Sequence, residues 1–106
     1  MTSKEMTKIA VKALEDCKAE DVKAYDMIGK SNLADVFIAA TGKAAPHLKA
    51  LVADIQSAMK AAGVASYRVS GDPESGWIVV DYIDIVVHVF SPEARAYYAL
   101  EKLWTK

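Results

Sequence analysis

A chain of 106 residues and 11.5 kDa, 53% hydrophobic and 25% charged, has the make-up of one globular domain and not of a disordered or collagen-like segment. Thirteen Lys and Arg against fourteen Asp and Glu leave a net charge of −1, which excludes a global basic field, so no direct DNA contact is expected. Cys17 is the only cysteine, which excludes an internal disulfide framework and Cys-rich zinc sites and fits a reducing compartment.

The apolar stretches within Trp77–Phe90 are interrupted by Asp81, Asp84 and His88. Nothing approaches the roughly 20 residues of a membrane-spanning helix, so a soluble protein is expected, with no membrane partner. The first residues, with Lys4, Glu5 and Lys8 and no apolar run, match neither a secretory signal nor a transit peptide.

Met6, Ile9, Ala10, Ala13, Leu14 and Cys17 recur at helical spacing and predict a first helix with one buried stripe, in which Cys17 is a small packed residue. Val22–Met27 alternates apolar and polar residues as a strand with one face to the core. Gly29–Asn32 turns the chain, and Val36–Ala40, nearly all apolar, suits a central strand covered on both faces. Leu48, Leu51, Val52, Ile55 and Met59 mark a second helix, with Pro46 in its first turn and Gly63 just past its end. Ser66–Val69 reads as a third strand entering a loop over Gly71–Gly76. Trp77–Tyr82 and Ile85–Phe90 read as a hairpin. Ser91 and Pro92 open one last helix carrying Ala94, Tyr97, Tyr98, Leu100, Leu103 and Trp104. The expected order is α-β-β-α-β-β-β-α, an α/β domain with a mixed five-stranded sheet flanked by helices.

Several residues invite a chemical reading. Gly29-Lys30-Ser31 lacks the paired glycines of a phosphate-binding loop and reads as a turn. His47, in the first turn of the second helix, reads as a solvated or capping residue, and His88, inside an apolar strand, as a satisfied sheet histidine; two histidines without a third ligand make no metal site. Asp35, Asp81 and Asp84 raise the alternative of a metal-dependent nucleotidyltransferase, but Asp81 and Asp84 flank a hairpin turn where polar residues are expected, and no suitably spaced Gly-rich loop cradles a nucleotide. A charge asymmetry is more informative. Between Val69 and Ala94 there is no Lys or Arg, while Asp72, Glu74, Asp81, Asp84 and Glu93 supply five negative charges beside Trp77 and Tyr82. Composition alone supports equally a docking surface for a basic protein and a solvated hairpin with Trp77 in the core.

Three separated blocks, Ser31–Gly42, Trp77–His88 and Tyr98–Trp104, resemble the signature segments of the Iojap family, the ribosomal silencing factors, and the likeness runs in unbroken order from about Met6 to Trp104. The resemblance implies a single domain over residues 1–106 with a nucleotidyltransferase-like topology, no catalytic activity and no cofactor. It implies as partner the large ribosomal subunit, engaged through large-subunit protein fourteen, and a cytoplasmic repressor of translation that blocks subunit joining. On this resemblance Trp77, Asp81, Tyr82, Asp84 and His88 form the docking surface, with the turn at His47 the next candidate for partner binding. Two departures stand out: Ile83 occupies a position where the family commonly has Gly, and Ala44, Ala45 and Pro46 replace the usual Ser and Arg before His47. A homodimer acting as a scaffold is a third class, left open by the sequence.

Overall fold

The Thr-x-x-Glu spacing at the start of the chain makes a capping box: Thr2 Oγ1 accepts from the Glu5 amide at 3.1 Å and Glu5 accepts from the Thr2 amide at 3.0 Å. That box opens α1, Ser3–Asp16, in the computed structural model, which describes residues 1–65 and 68–105. There follow β1 (Glu20–Asp26), β2 (Val36–Thr41), α2 (Ala45–Ala61), β3 (Arg68–Asp72), a 3-10 turn (Pro73–Ser75), β4 (Trp77–Asp81), β5 (Ile85–Phe90), α3 (Pro92–Tyr98) and α4 (Glu101–Trp104). Gly63, at φ 85°, ends α2 with paired bonds from its own amide to Lys60 and from the Val64 amide to Met59. This satisfies carbonyls the helix leaves open and folds Val64 onto the core.

The five strands form one mixed sheet in the order β1-β2-β5-β4-β3. β2 and β5 run parallel, with Ala39 beside His88, and the other three pairings are antiparallel. Helices α1 and α2 cover one face, where Leu14, Leu48, Leu51, Ile55 and Met59 meet Ile38, Val80, Ile85, Val87 and Val89. On the other face Phe37, Ala39, Val86 and Phe90 are covered by Ala94 and Trp104. The α/β architecture and the two-sided burial of β2 match expectation. No helix among the described residues is long and apolar enough to cross a membrane.

Three expectations need adjustment. Among the described residues the third strand runs from Arg68 past Val69 and through Gly71 to Asp72, with a 3-10 turn where an open loop was expected; Ser66 and Tyr67, where the strand was expected to start, lie outside the described residues. Asp72 makes that turn possible by accepting from the Ser75 amide at 2.9 Å. The last helix is broken: Ala99 adopts φ 48°, so α3 stops and α4 turns back over the sheet. Ala94 and Trp104 are thereby both buried, whereas Tyr97 and Leu103, expected on the same apolar stripe, are exposed.

Gly71 sits in the left-handed region at φ 86°, and a Cβ there would run into the Trp77 carbonyl group across the β3–β4 pairing. Gly71→Ala is expected to cost at least ~2 kcal/mol of unfolding free energy through left-handed strain and backbone displacement. Denaturant titration checks this, and an unchanged midpoint would contradict it.

Candidate functional site

Alternation along β4 sends Ile78 and Val80 into the helix-covered core and Trp77, Val79 and Asp81, all half-buried, to the opposite face. Trp77 lies across from Phe90 in the β4–β5 pairing, its ring stacked at 5.7 Å on Phe90, 6.1 Å from His88 and tilted at 4.9 Å against Tyr98. Its indole N–H donates to His88 Nδ1 at 3.3 Å. The question of which way Trp77 faces therefore has a double answer: one side of the ring belongs to the sheet's aromatic stack, and the residue still reaches the surface.

His88 is 8% exposed, enclosed by Trp77, Phe37, Phe90 and Trp104. Because Nδ1 accepts the indole proton, Nε2 carries the imidazole hydrogen, and that buried donor has no partner among the described residues. Burial among rings pushes the His88 pKa down to about 4. Tyr82, 4% exposed, points into the other core, against α1 and α2; its hydroxyl too has no partner among the described residues, and burial raises its pKa. Sequence reasoning put Tyr82 and His88 on one surface with Trp77, Asp81 and Asp84. The structure places them inside the fold on opposite sides of the sheet.

The acids lie at the other end of β4. Asp81 Oδ1 accepts from the Ile83 amide at 2.7 Å, Asp84 is exposed, and the Asp84 carbonyl accepts from the Asp35 amide at 2.8 Å. These bonds tie the hairpin turn to the start of β2. Among the described residues no group of three or more His, Cys, Asp or Glu side chains is placed to hold a metal ion. Asp35, Asp81 and Asp84 thus do not make the cation site that the nucleotidyl-transfer alternative needs.

His47 is used within the chain. Its Nδ1 accepts from the Lys43 amide at 2.9 Å and its Nε2 lies 2.7 Å from the Cys17 carbonyl oxygen, so the ring is an Nε2–H tautomer joining the end of α1 to the start of α2. Cys17 sits at that junction, its thiol pKa raised by burial first and by Asp54 second.

A group that sequence reasoning missed holds α4 in place. Arg95 donates to both carboxylate oxygens of Glu101, at 2.6 and 2.9 Å, and through a third nitrogen to the Asp21 carbonyl and Thr41 Oγ1, each at 2.8 Å. Tyr25 also donates to Glu101. The Arg95 bonds hold Glu101 below the usual carboxylate range, while burial and then Glu101 push Tyr25 up to about 12. The six-residue spacing of Arg95 and Glu101 fits no helical pairing rule, because the break at Ala99 is what brings them together.

His88 makes stability depend on pH. The unfolded chain takes up a proton near 6.5 whereas the folded chain resists until about 4, so stability is full above the first value and falls as pH drops toward the second. A loss of ~3 kcal/mol across that window is expected, with most of the slope absent in His88→Phe. Chemical denaturation at a series of pH values checks it, and equal slopes for the two proteins would contradict the assignment.

The fold defines a small α/β domain whose sheet is closed by two long helices on one side and by a short, latched pair on the other. The family model described as ribosomal silencing factor during starvation matches residues 1–106, and the chain belongs to that family. It is 39% identical over 104 residues to the ribosomal silencing factor of Bacillus subtilis, covering 98% of this chain and 88% of that one. A mitochondrial Iojap-related protein of Arabidopsis thaliana is 35% identical over 98 residues, covering 89% of this chain and 53% of its own length. A crystal structure of a Chromobacterium violaceum protein superposes with a TM-score of 0.95 at 38% identity, covering 99% of this chain and 88% of that one.

Proposed function

We propose that this protein is a cytoplasmic repressor of translation that binds the large ribosomal subunit through its protein fourteen and blocks joining of the small subunit. Family membership supplies the ribosomal connection. The observation that carries the docking surface is the half-buried Trp77, braced by His88 and Phe90 on a segment without Lys or Arg. A braced aromatic ring loses little side-chain freedom on binding, and the acids around it favour a basic partner. On this reading Trp77, Asp81 and Tyr98 touch the partner, His88 sets the Trp77 ring, Tyr82 anchors the end of β4, and His47 holds the two helices together.

The mechanism is steric and needs no catalytic step. A body of 34 × 32 × 21 Å seated at the intersubunit face fills space that the small subunit must enter to make a bridge. Sedimentation of purified subunits tests the reading: excess protein is expected to co-sediment with large subunits and to deplete joined ribosomes. Undiminished joining overturns it.

Asp81→Asn keeps an oxygen to accept from the Ile83 amide and removes the charge. It is expected to leave the melting temperature nearly unchanged, to slow association at low salt about 3-fold and to weaken its salt dependence. Stopped-flow association at two ionic strengths reads both effects, and identical rates would remove the acid from the docking surface.

A further inference from the structure

Helix α4 is too short to hold its own place. It is four residues long and follows a left-handed Ala99, and a single turn of helix is not stable by itself. Two ties set it over the sheet: Trp104, packed into the second core, and Glu101, joined to Arg95. Arg95 grips Glu101 with Nε and Nη2 as a fork on a carboxylate, while its Nη1 donates to the Asp21 carbonyl at the start of β1 and to Thr41 Oγ1 at the end of β2. Its side chain is only 12% exposed, so water competes weakly for these bonds.

Both walls of the slot that holds the Trp77 ring lead back to this guanidinium. One wall is Tyr98, on the same helix as Arg95, its ring 4.9 Å from the indole. The bonds to Asp21 and Thr41 fasten that helix to the sheet. The other wall is His88, which accepts the indole N–H and is covered at 4.8 Å by Trp104, the residue that α4 delivers. Tyr25 joins the two ends of this second route, donating to Glu101 and packing edge-on against Trp104 at 5.6 Å. Arg95 is also the first cation after the stretch from Val69 to Ala94, and with Glu101 bonded to it and the Asp21 carboxylate 3.6 Å away it is neutralised inside the latch.

We propose that Arg95 is a positioning residue for docking: through Glu101 and α4 on one side and through α3 on the other, it fixes the Trp77 ring in the orientation that a partner meets. An indole held in advance gives up little freedom on binding, whereas a loosened one must be ordered at that moment. The inference rests on the ribosomal reading above, in which Trp77 touches the large subunit.

Two variants that move the net charge in opposite directions test this. Arg95→Met removes the cation and Glu101→Gln the anion, and both keep Trp77, Asp81 and Tyr98. The chain has two tryptophans, so labelling with fluorotryptophan gives two fluorine resonances, told apart by the one that Trp104→Phe abolishes. Each variant is expected to shift or broaden the Trp77 resonance and to weaken co-sedimentation with purified large ribosomal subunits by ~10-fold, measured well below its own melting temperature. A role confined to stability would lower the melting temperature and leave the Trp77 resonance and the affinity in place, and that result overturns the proposal. Affinity changes of opposite sign in the two variants trace the effect to charge and overturn it as well. A displaced Trp77 resonance with native affinity removes the latch from docking. A native chain that does not bind large subunits overturns the ribosomal reading, and the fluorine spectra then decide the setting of the ring alone, an unmoved Trp77 resonance counting against it.

Discussion

β2 and β5 pair in parallel at the middle of the sheet, and their residues are buried on both faces. The chain must therefore build two cores from about a hundred residues. Helices α1 and α2 close the first with long apolar stripes. Only the segment from Pro92 onward remains to close the second, and an unbroken helix would place Tyr98 and Trp104 on different sides. The left-handed Ala99 resolves this by letting α4 fold back, and the Arg95–Glu101 pair with Tyr25 fixes the returned segment over Phe37 and His88.

That second core is what shapes the candidate surface. Trp104 covers His88, His88 accepts from Trp77, and Trp77 packs against Tyr98 on the helix that the same latch holds. The half-buried indole is consequently set by contacts from β5 and α3, and through His88 by α4. Asp81, by contrast, has its carboxylate fixed by the Ile83 amide, and Asp84 is exposed, which suits steering a basic partner.

Much of the architecture was legible because its signals are local. The period of Met6–Leu14, the uninterrupted Val36–Ala40 run and the Pro46 and Gly63 punctuation each specify an element without reference to the rest of the chain. What escaped was parity and distance. β5 is apolar at every position but one, so alternation could not reveal that His88 and Tyr82 face opposite cores. The break at Ala99 depends on Asp21, Tyr25 and Thr41, residues that precede it by more than fifty positions. The residues proposed for docking were legible as a charge-asymmetric aromatic segment, but not which of them reach the surface.

The unpaired Nε2–H of His88 bears on how the domain moves. A buried donor without an acceptor has lost its hydrogen bond to water, and lifting α4 would return it. Part of the cost of removing Trp104 from the sheet is therefore recovered in hydration. Being four residues long and joined through a left-handed residue, α4 can detach without unwinding α3. A segment of this kind is expected to open below the threshold of global unfolding and to exchange its amide hydrogens before the β2–β5 pair does. Lifting α4 would bare the aromatic face of the sheet, because Trp104 is what lies over Phe37 and His88.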